Sequence, residues 1–108
     1  DGVAYIAMEH LEGPSLRQML DDHPPLAVSR SLEIAAQVAR GLAYAHEHGV
    51  VHSDVKPANV ILVNGRRPKI TDFGIARMAG ARGGELVGSP KYMSPEQVRG
   101  EPLDGRTD

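Results

Sequence analysis

The sequence predicts an α+β fold, and three observations carry that expectation. Residues Val3 to Met8 (VAYIAM) form a short apolar, β-compatible run. Leu32, Ala35, Ala36, Ala39, Leu42, Ala43 and His46 recur at spacings of three and four, the signature of one stripe of an amphipathic helix. Val60 to Val63 and Pro68 to Thr71 are two short strands around Asn64-Gly65, a strong hairpin signal.

The elements follow in order. Val3–Met8 reads as a buried strand, closed by Gly13-Pro14. Ser15 is the expected N-cap of a short helix from Leu16 to about Asp22. Pro24-Pro25 forces extended backbone. The long helix runs from about Val28 to His48 and stops at Gly49. Its stripe is rich in Ala, which lets another helix approach closely, yet no second long helix follows. From Gly74 to Gly88 the pattern dissolves, with glycines at 74, 80, 83, 84 and 88, and reads as a mobile loop. Ser94-Pro95-Glu96 opens a last short helix through about Arg99.

Composition narrows the function classes. The 108 residues permit one domain at most. A net charge of −2 argues against a nucleic-acid binder, which carries a basic excess or stripe. The absence of cysteine excludes disulfides and thiolate metal sites. No run approaches the length of a membrane span, and no secretory signal is present. Aromatic residues make up only 4%, few for a self-sufficient core. With Asp1 rather than Met at the start and Asp108 at a helix approach, the chain reads as cut at both ends.

Three clusters carry the chemistry: His52-Ser53-Asp54-Val55-Lys56-Pro57-Ala58-Asn59, Asp72-Phe73-Gly74, and Gly88-Ser89-Pro90-Lys91-Tyr92-Met93-Ser94-Pro95-Glu96. Phosphoryl transfer needs dispersed negative charge neutralised and a hydroxyl aimed in line. Asp54 offers a carboxylate to accept the hydroxyl proton. Lys56 lies two residues on, so an extended loop points it the same way, towards the transferring phosphate. Asn59 and Asp72 are hard oxygen ligands suited to Mg²⁺ shared with ATP phosphates, and the hairpin base brings them together. Gly74 frees the backbone after the ligand.

In order and spacing these clusters resemble the eukaryotic-type protein kinase family: its catalytic loop, its metal-binding Asp-Phe-Gly and the end of its activation segment. Asp-Phe-Gly alone arises by chance in about one chain in a hundred of this size. The five fixed positions of His-x-Asp-x-Lys-Pro-x-Asn are far rarer. The resemblance covers essentially the whole chain. It implies a partial kinase domain, with residues 1–13 as the last small-lobe strand and hinge and 14–108 as part of the large lobe. Lys56 and the Gly-Ser-Pro-Lys-Tyr stretch resemble the serine/threonine branch, and Lys-Pro-Ala-Asn with Tyr-Met-Ser-Pro-Glu-Gln is most similar to bacterial members.

The resemblance also implies roles. Met8 guards the pocket behind adenine, Glu9 and Leu11 bond adenine through their backbones, Glu12 contacts ribose, and Ile61 packs under the ring. His52 and Phe73 stack in an apolar column, so His52 is structural rather than catalytic. Ser89 bridges Asp54 and Lys56. Glu96 pairs with an Arg beyond residue 108, and Asp108 holds the catalytic-loop backbone. The implied reaction is ATP- and Mg²⁺-dependent phosphorylation of Ser or Thr hydroxyls on a protein substrate. It involves no nucleic acid, no membrane contact within this segment, and a cytoplasmic setting. Two alternatives stay open: a pseudokinase scaffold and a small-molecule phosphotransferase of kinase-like fold.

Two departures matter. The family commonly has Arg where Ser53 stands, and that Arg clamps an activation-loop phosphate. Between Phe73 and Ser89 there is no Ser, Thr or Tyr to carry one. Clamp and acceptor are absent together, so activation by phosphorylation in that loop is not expected. The Gly-rich loop, the strand Lys and its helix Glu, which precede this region in the family, are not in the sequence, so the segment alone is not expected to be an efficient kinase and should expose the Ala-rich face. The remaining histidines, His10, His23, His46 and His48, have no ligand spacing for a metal, and His46 reads as a core residue of the stripe. Arg66-Arg67 and Lys69 read as solvated surface, and Glu85 as a loop charge rather than a phosphate mimic.

Overall fold

The computed structural model describes residues 2–22, 25–73 and 89–108. The expected Gly74–Gly88 loop lies outside these residues, as does Pro24. Helix α1 spans Leu16–Asp22 and helix α2 spans Val28–Glu47. Strands β1 (Val60–Val63) and β2 (Arg67–Ile70) pair antiparallel, and helix α3 spans Pro95–Arg99. Single 3₁₀ turns occupy Pro57–Asn59, Pro90–Tyr92 and Gly105–Thr107.

Helix α1 starts where a reciprocal cap can form. The Gln18 backbone N–H donates to the Ser15 hydroxyl at 3.1 Å, and the Ser15 N–H donates to the Gln18 amide oxygen at 2.8 Å. Helix α2 ends as expected. Gly49 takes φ +74° and its N–H donates to the His46 carbonyl. The hairpin turns through Asn64 and Gly65, both with positive φ, and the Arg66 N–H closes it on the Val63 carbonyl at 3.1 Å. The register is Val60↔Ile70 through Val63↔Arg67, so β2 begins and ends one residue earlier than expected.

The core lies between α2 and the hairpin. Ile34, Leu42 and Ala45 from the helix and Val60 and Leu62 from β1 are all nearly sealed from solvent. The helix residues that pack are Ile34, Val38 and Ala45, together with Leu42 of the stripe. Of that stripe, Leu32, Ala35, Ala36, Ala39 and Ala43 are exposed. The Ala-rich face is thus left open, as expected of this segment. Helix α2 carries two apolar faces; the hairpin packs on one of them, and the turn at Gly105–Thr107 meets the helix near its C-terminal end. Gly41 sits at the hairpin contact, where an added Cβ would stand 3.2 Å from Ile70 Cδ1.

The expected buried strand at Val3–Met8 is corrected by the structure. These residues form no strand and are open to solvent, with Tyr5 87% exposed. A strand needs a partner for its backbone N–H and C=O groups, and no described residue supplies one. The segment after it is better fixed. The Leu62 N–H donates to the Pro14 carbonyl at 2.9 Å, and Ser15 pairs with Ile61 in an isolated bridge.

That junction explains Gly13. It takes φ +146°, and an added Cβ would stand 2.2 Å from the Leu62 carbonyl oxygen. Neither atom can move, because both are backbone. Gly13→Ala is expected to cost about 1–3 kcal/mol from the backbone conformation alone, before the clash is counted. Chemical denaturation of the protein and its variant would measure the loss; an unchanged midpoint would rule out this close approach.

Candidate active site

The chain from Val50 to Asn59 returns from α2 to β1 and is held from both sides. His52 is completely buried, its Nε2 2.8 Å from the Thr71 carbonyl and its ring 4.6 Å from that of Phe73, edge-on. The His52 N–H donates to Asp108 Oδ2 at 2.8 Å, and the Ser53 N–H to Asp108 Oδ1 at 2.7 Å. Ser53 is thereby kept at φ +71°, a region costly for a residue with a Cβ. The Asp54 N–H then donates to His52 Nδ1 at 3.1 Å.

This turn presents Asp54, around which the other polar groups gather. Its Oδ2 lies 3.3 Å from Lys56 Nζ and accepts from Asn59 Nδ2 at 3.2 Å. Its Oδ1 accepts from the Ser89 N–H at 3.2 Å. Lys56 has fully extended backbone (φ −160°, ψ 160°), so its side chain points with that of Asp54, and its ammonium donates to the Ser89 hydroxyl at 2.5 Å. Asp54 and Lys56 are each about one-quarter exposed (29% and 24%), enough for a substrate to reach them.

Asn59 is buried, and its amide nitrogen is spent on the Asp54 carbonyl (2.9 Å) and carboxylate. That orientation leaves Oδ1 as its outward donor to a cation. The Thr71 N–H donates to the Asn59 carbonyl at 2.9 Å, so Asp72 follows directly across the hairpin base. Asp72 is exposed at φ +60°. An amide oxygen and a carboxylate, both hard donors on adjoining backbone, fit a magnesium ion. No group of three or more His, Cys, Asp or Glu side chains that could hold a metal occurs among the described residues.

The expected nucleotide-edge residues are gathered less completely. Glu9 pairs with Lys69 at 2.7 Å, and Lys69 is the register partner of Ile61, so Glu9 and Ile61 share one end of the hairpin. Met8 is 58% exposed, Glu12 is exposed and Leu11 is half-buried.

With this geometry in place, comparison decides the family. A model of the protein kinase domain matches residues 1–108. The chain belongs to the protein kinase family. It is 40% identical to the serine/threonine-protein kinase PknB of Mycolicibacterium smegmatis over 96% of its length. It is 36% identical to the PknB of Mycobacterium tuberculosis over the same share. It covers only 18% of each of those relatives. The crystal structure of the Mycobacterium tuberculosis PknI kinase domain matches with a TM-score of 0.68 and 34% identity, over 94% of this chain and 37% of that one. The protein-kinase-like fold is thus established.

Four contacts around the candidate site are invisible in the sequence. His46 Nε2 lies 2.8 Å from Asp108 Oδ2, so His46 is a half-buried polar link rather than a core residue of the stripe. Gly105 lies against that ring, where an added Cβ would stand 2.8 Å from Nδ1. Gln97 Nε2 donates to the Ser53 carbonyl at 2.6 Å. The Ser94-x-x-Gln97 spacing signals a capping box, which is present, but gives no sign of that third bond. Glu96 accepts from the Thr107 hydroxyl at 2.8 Å, and its own backbone N–H and that hydroxyl hold its carboxyl below the usual range.

Asp108→Asn is expected to replace an acceptor with a donor facing a backbone N–H. Leaving that buried group unpaired costs about 1–3 kcal/mol. Amide hydrogen exchange would report it as faster exchange at His52 and Ser53, and unchanged exchange would count against the anchor. Asp104 gives a pH test. Hydrogen bonds from the Arg106 side chain and backbone lower its pKa from 3.8 to about 2. A lowered value means the contact persists above pH 3.8 and is lost as pH falls through about 2. NMR titration of Arg106→Ala should return the midpoint towards 3.8, and high salt should do so in part because the pair is exposed.

Proposed function

We propose that the polypeptide carrying this chain transfers the γ-phosphoryl group of ATP to Ser or Thr hydroxyls of protein substrates, with Mg²⁺ bound. The single observation that supports this most is the convergence of Lys56, Asn59 and Ser89 on the Asp54 carboxylate. In this reading Asp54 orients the acceptor hydroxyl and takes its proton as the oxygen–phosphorus bond forms and the bond to ADP breaks. Lys56 sets an ammonium beside the transferring group. Ser89 holds Lys56 through its hydroxyl and Asp54 through its N–H, fixing the spacing of the two. Asn59 and Asp72 would hold Mg²⁺, which when bound neutralises charge on the ATP phosphates.

The same reading assigns residues 1–13 to the last small-lobe strand and hinge and 14–108 to part of the large lobe. Met8, Glu9, Leu11, Glu12 and Ile61 would then border adenine and ribose, with the rest of the nucleotide site supplied by parts of the domain outside these residues. A cytoplasmic setting, where ATP is available, accords with it. Among the described residues no helix is long and apolar enough to cross a membrane.

The test is transfer of labelled phosphate from ATP to a generic protein acceptor by the full-length protein. Phosphoserine or phosphothreonine should form, and Asp54→Asn should lower kcat by about 10²–10⁴-fold. Nucleotide binding without transfer would instead identify a pseudokinase. Transfer confined to small alcohols or amines would identify a small-molecule phosphotransferase.

A further inference from the structure

The peptide between Ser53 and Asp54 is held at its oxygen by a residue forty-four positions away. Gln97 Nε2 donates to the Ser53 carbonyl at 2.6 Å. The neighbouring peptide is held at its nitrogen, where the Ser53 N–H donates to Asp108 Oδ1. Ser53 sits between these two anchors at φ +71° and is 7% exposed. Backbone in that region persists only where its surroundings over-determine it. Rotation of the Ser53–Asp54 peptide would swing the Asp54 carboxylate away from Lys56 and Asn59.

Gln97 itself is well placed to resist that rotation. Its backbone N–H donates to the Ser94 hydroxyl at 3.3 Å, and its amide oxygen accepts from the Ser94 N–H at 2.9 Å. These two bonds complete the cap of α3 and use the backbone and the oxygen only. The amide nitrogen is not needed for capping, and it is the atom that reaches Ser53. A plain cap would leave it in solvent.

We propose that Gln97 is a positioning residue that locks the catalytic loop from helix α3. It thereby sets the Asp54 carboxylate without any phosphate on residues 74–88. This rests on the kinase reading above and deepens it. The chain has Ser53 where a phosphate-clamping Arg commonly stands, and no hydroxyl residue between Phe73 and Ser89. A neutral amide-to-carbonyl bond needs neither.

Three variants of the full-length protein test it, each checked for a wild-type melting transition. Gln97→Glu keeps the oxygen that caps α3 but sets a carboxylate against the Ser53 carbonyl. Its kcat should fall about tenfold to a hundredfold, with KM for ATP little changed. The loss should shrink as pH falls from about 8 to about 6, because a protonated carboxyl can donate and the carbonyl and the Asp54 and Asp108 carboxylates raise its pKa. Gln97→Met, of similar length and without charge, should lose kcat with no pH response relative to wild type. Ser94→Ala removes only the hydroxyl half of the cap, leaves the Ser94 N–H on the Gln97 oxygen, and should keep most of kcat. Wild-type kcat in Gln97→Glu, or equal pH-independent losses in Gln97→Glu and Ser94→Ala, would overturn the proposal. A wild-type protein that transfers no phosphate to protein would instead overturn the kinase reading itself.

Discussion

The Asp108 carboxylate receives the His52 and Ser53 backbone N–H groups and lies against His46, and its side chain is only 1% exposed. Without that acceptor the chain from α2 to β1 would have two buried donors and no reason to adopt positive φ at Ser53. A buried carboxylate is costly unless hydrogen-bonded, and here the bonds come from the loop it shapes. Desolvation and loop conformation are therefore one problem with one solution. Gly105 belongs to it, because only a residue without Cβ lets the 3₁₀ turn bring Asp108 beneath the His46 ring.

The hairpin performs the second half of the placement. Its core residues Val60 and Leu62 are buried and β2 lies against α2, while the strand ends carry the polar groups. Asn59 precedes β1 and Asp72 follows β2, so one antiparallel register fixes both candidate cation ligands. His52 joins the halves: its Nδ1 accepts from Asp54, its Nε2 meets Thr71, and its ring packs on Phe73. A fully buried imidazole with both nitrogens engaged is a structural pin, and its two contacts are the Asp54 N–H itself and Thr71, the residue before Asp72.

How far this was legible from residue order varies with the range of the interaction. Local devices were readable: the Ser15 cap, the Gly49 stop, the Asn64-Gly65 turn and the α3 start each depend on residues within a few positions. Periodicity along α2 reports that a face is apolar, not which neighbour covers it; the Ala-rich face stays open as expected, while Ile34 and Ala45, which lie off the stripe, pack. Val3–Met8 was misread because strand composition says nothing about whether a partner is present. The cluster around Asp54 was legible through motif spacing. The His46–Asp108 and Gln97–Ser53 contacts were not, because each joins polar residues at long separation whose types are equally at home on a surface.

These contacts bear on how a kinase site can be kept in order. An Arg–phosphate clamp is strong because it is charge-assisted, and switchable because the phosphate can be removed. The bonds around Ser53 are of another kind: two to a permanent carboxylate and one from a neutral amide. None depends on a modification, so the loop geometry is constitutive as far as these residues determine it. The α2 face at Leu32, Ala35 and Ala39 and the segment from Val3 to Met8 are open to solvent and are free to meet other elements. Contacts there would move rigid elements, whereas a phosphate near Ser53 would find no guanidinium at that position to receive it.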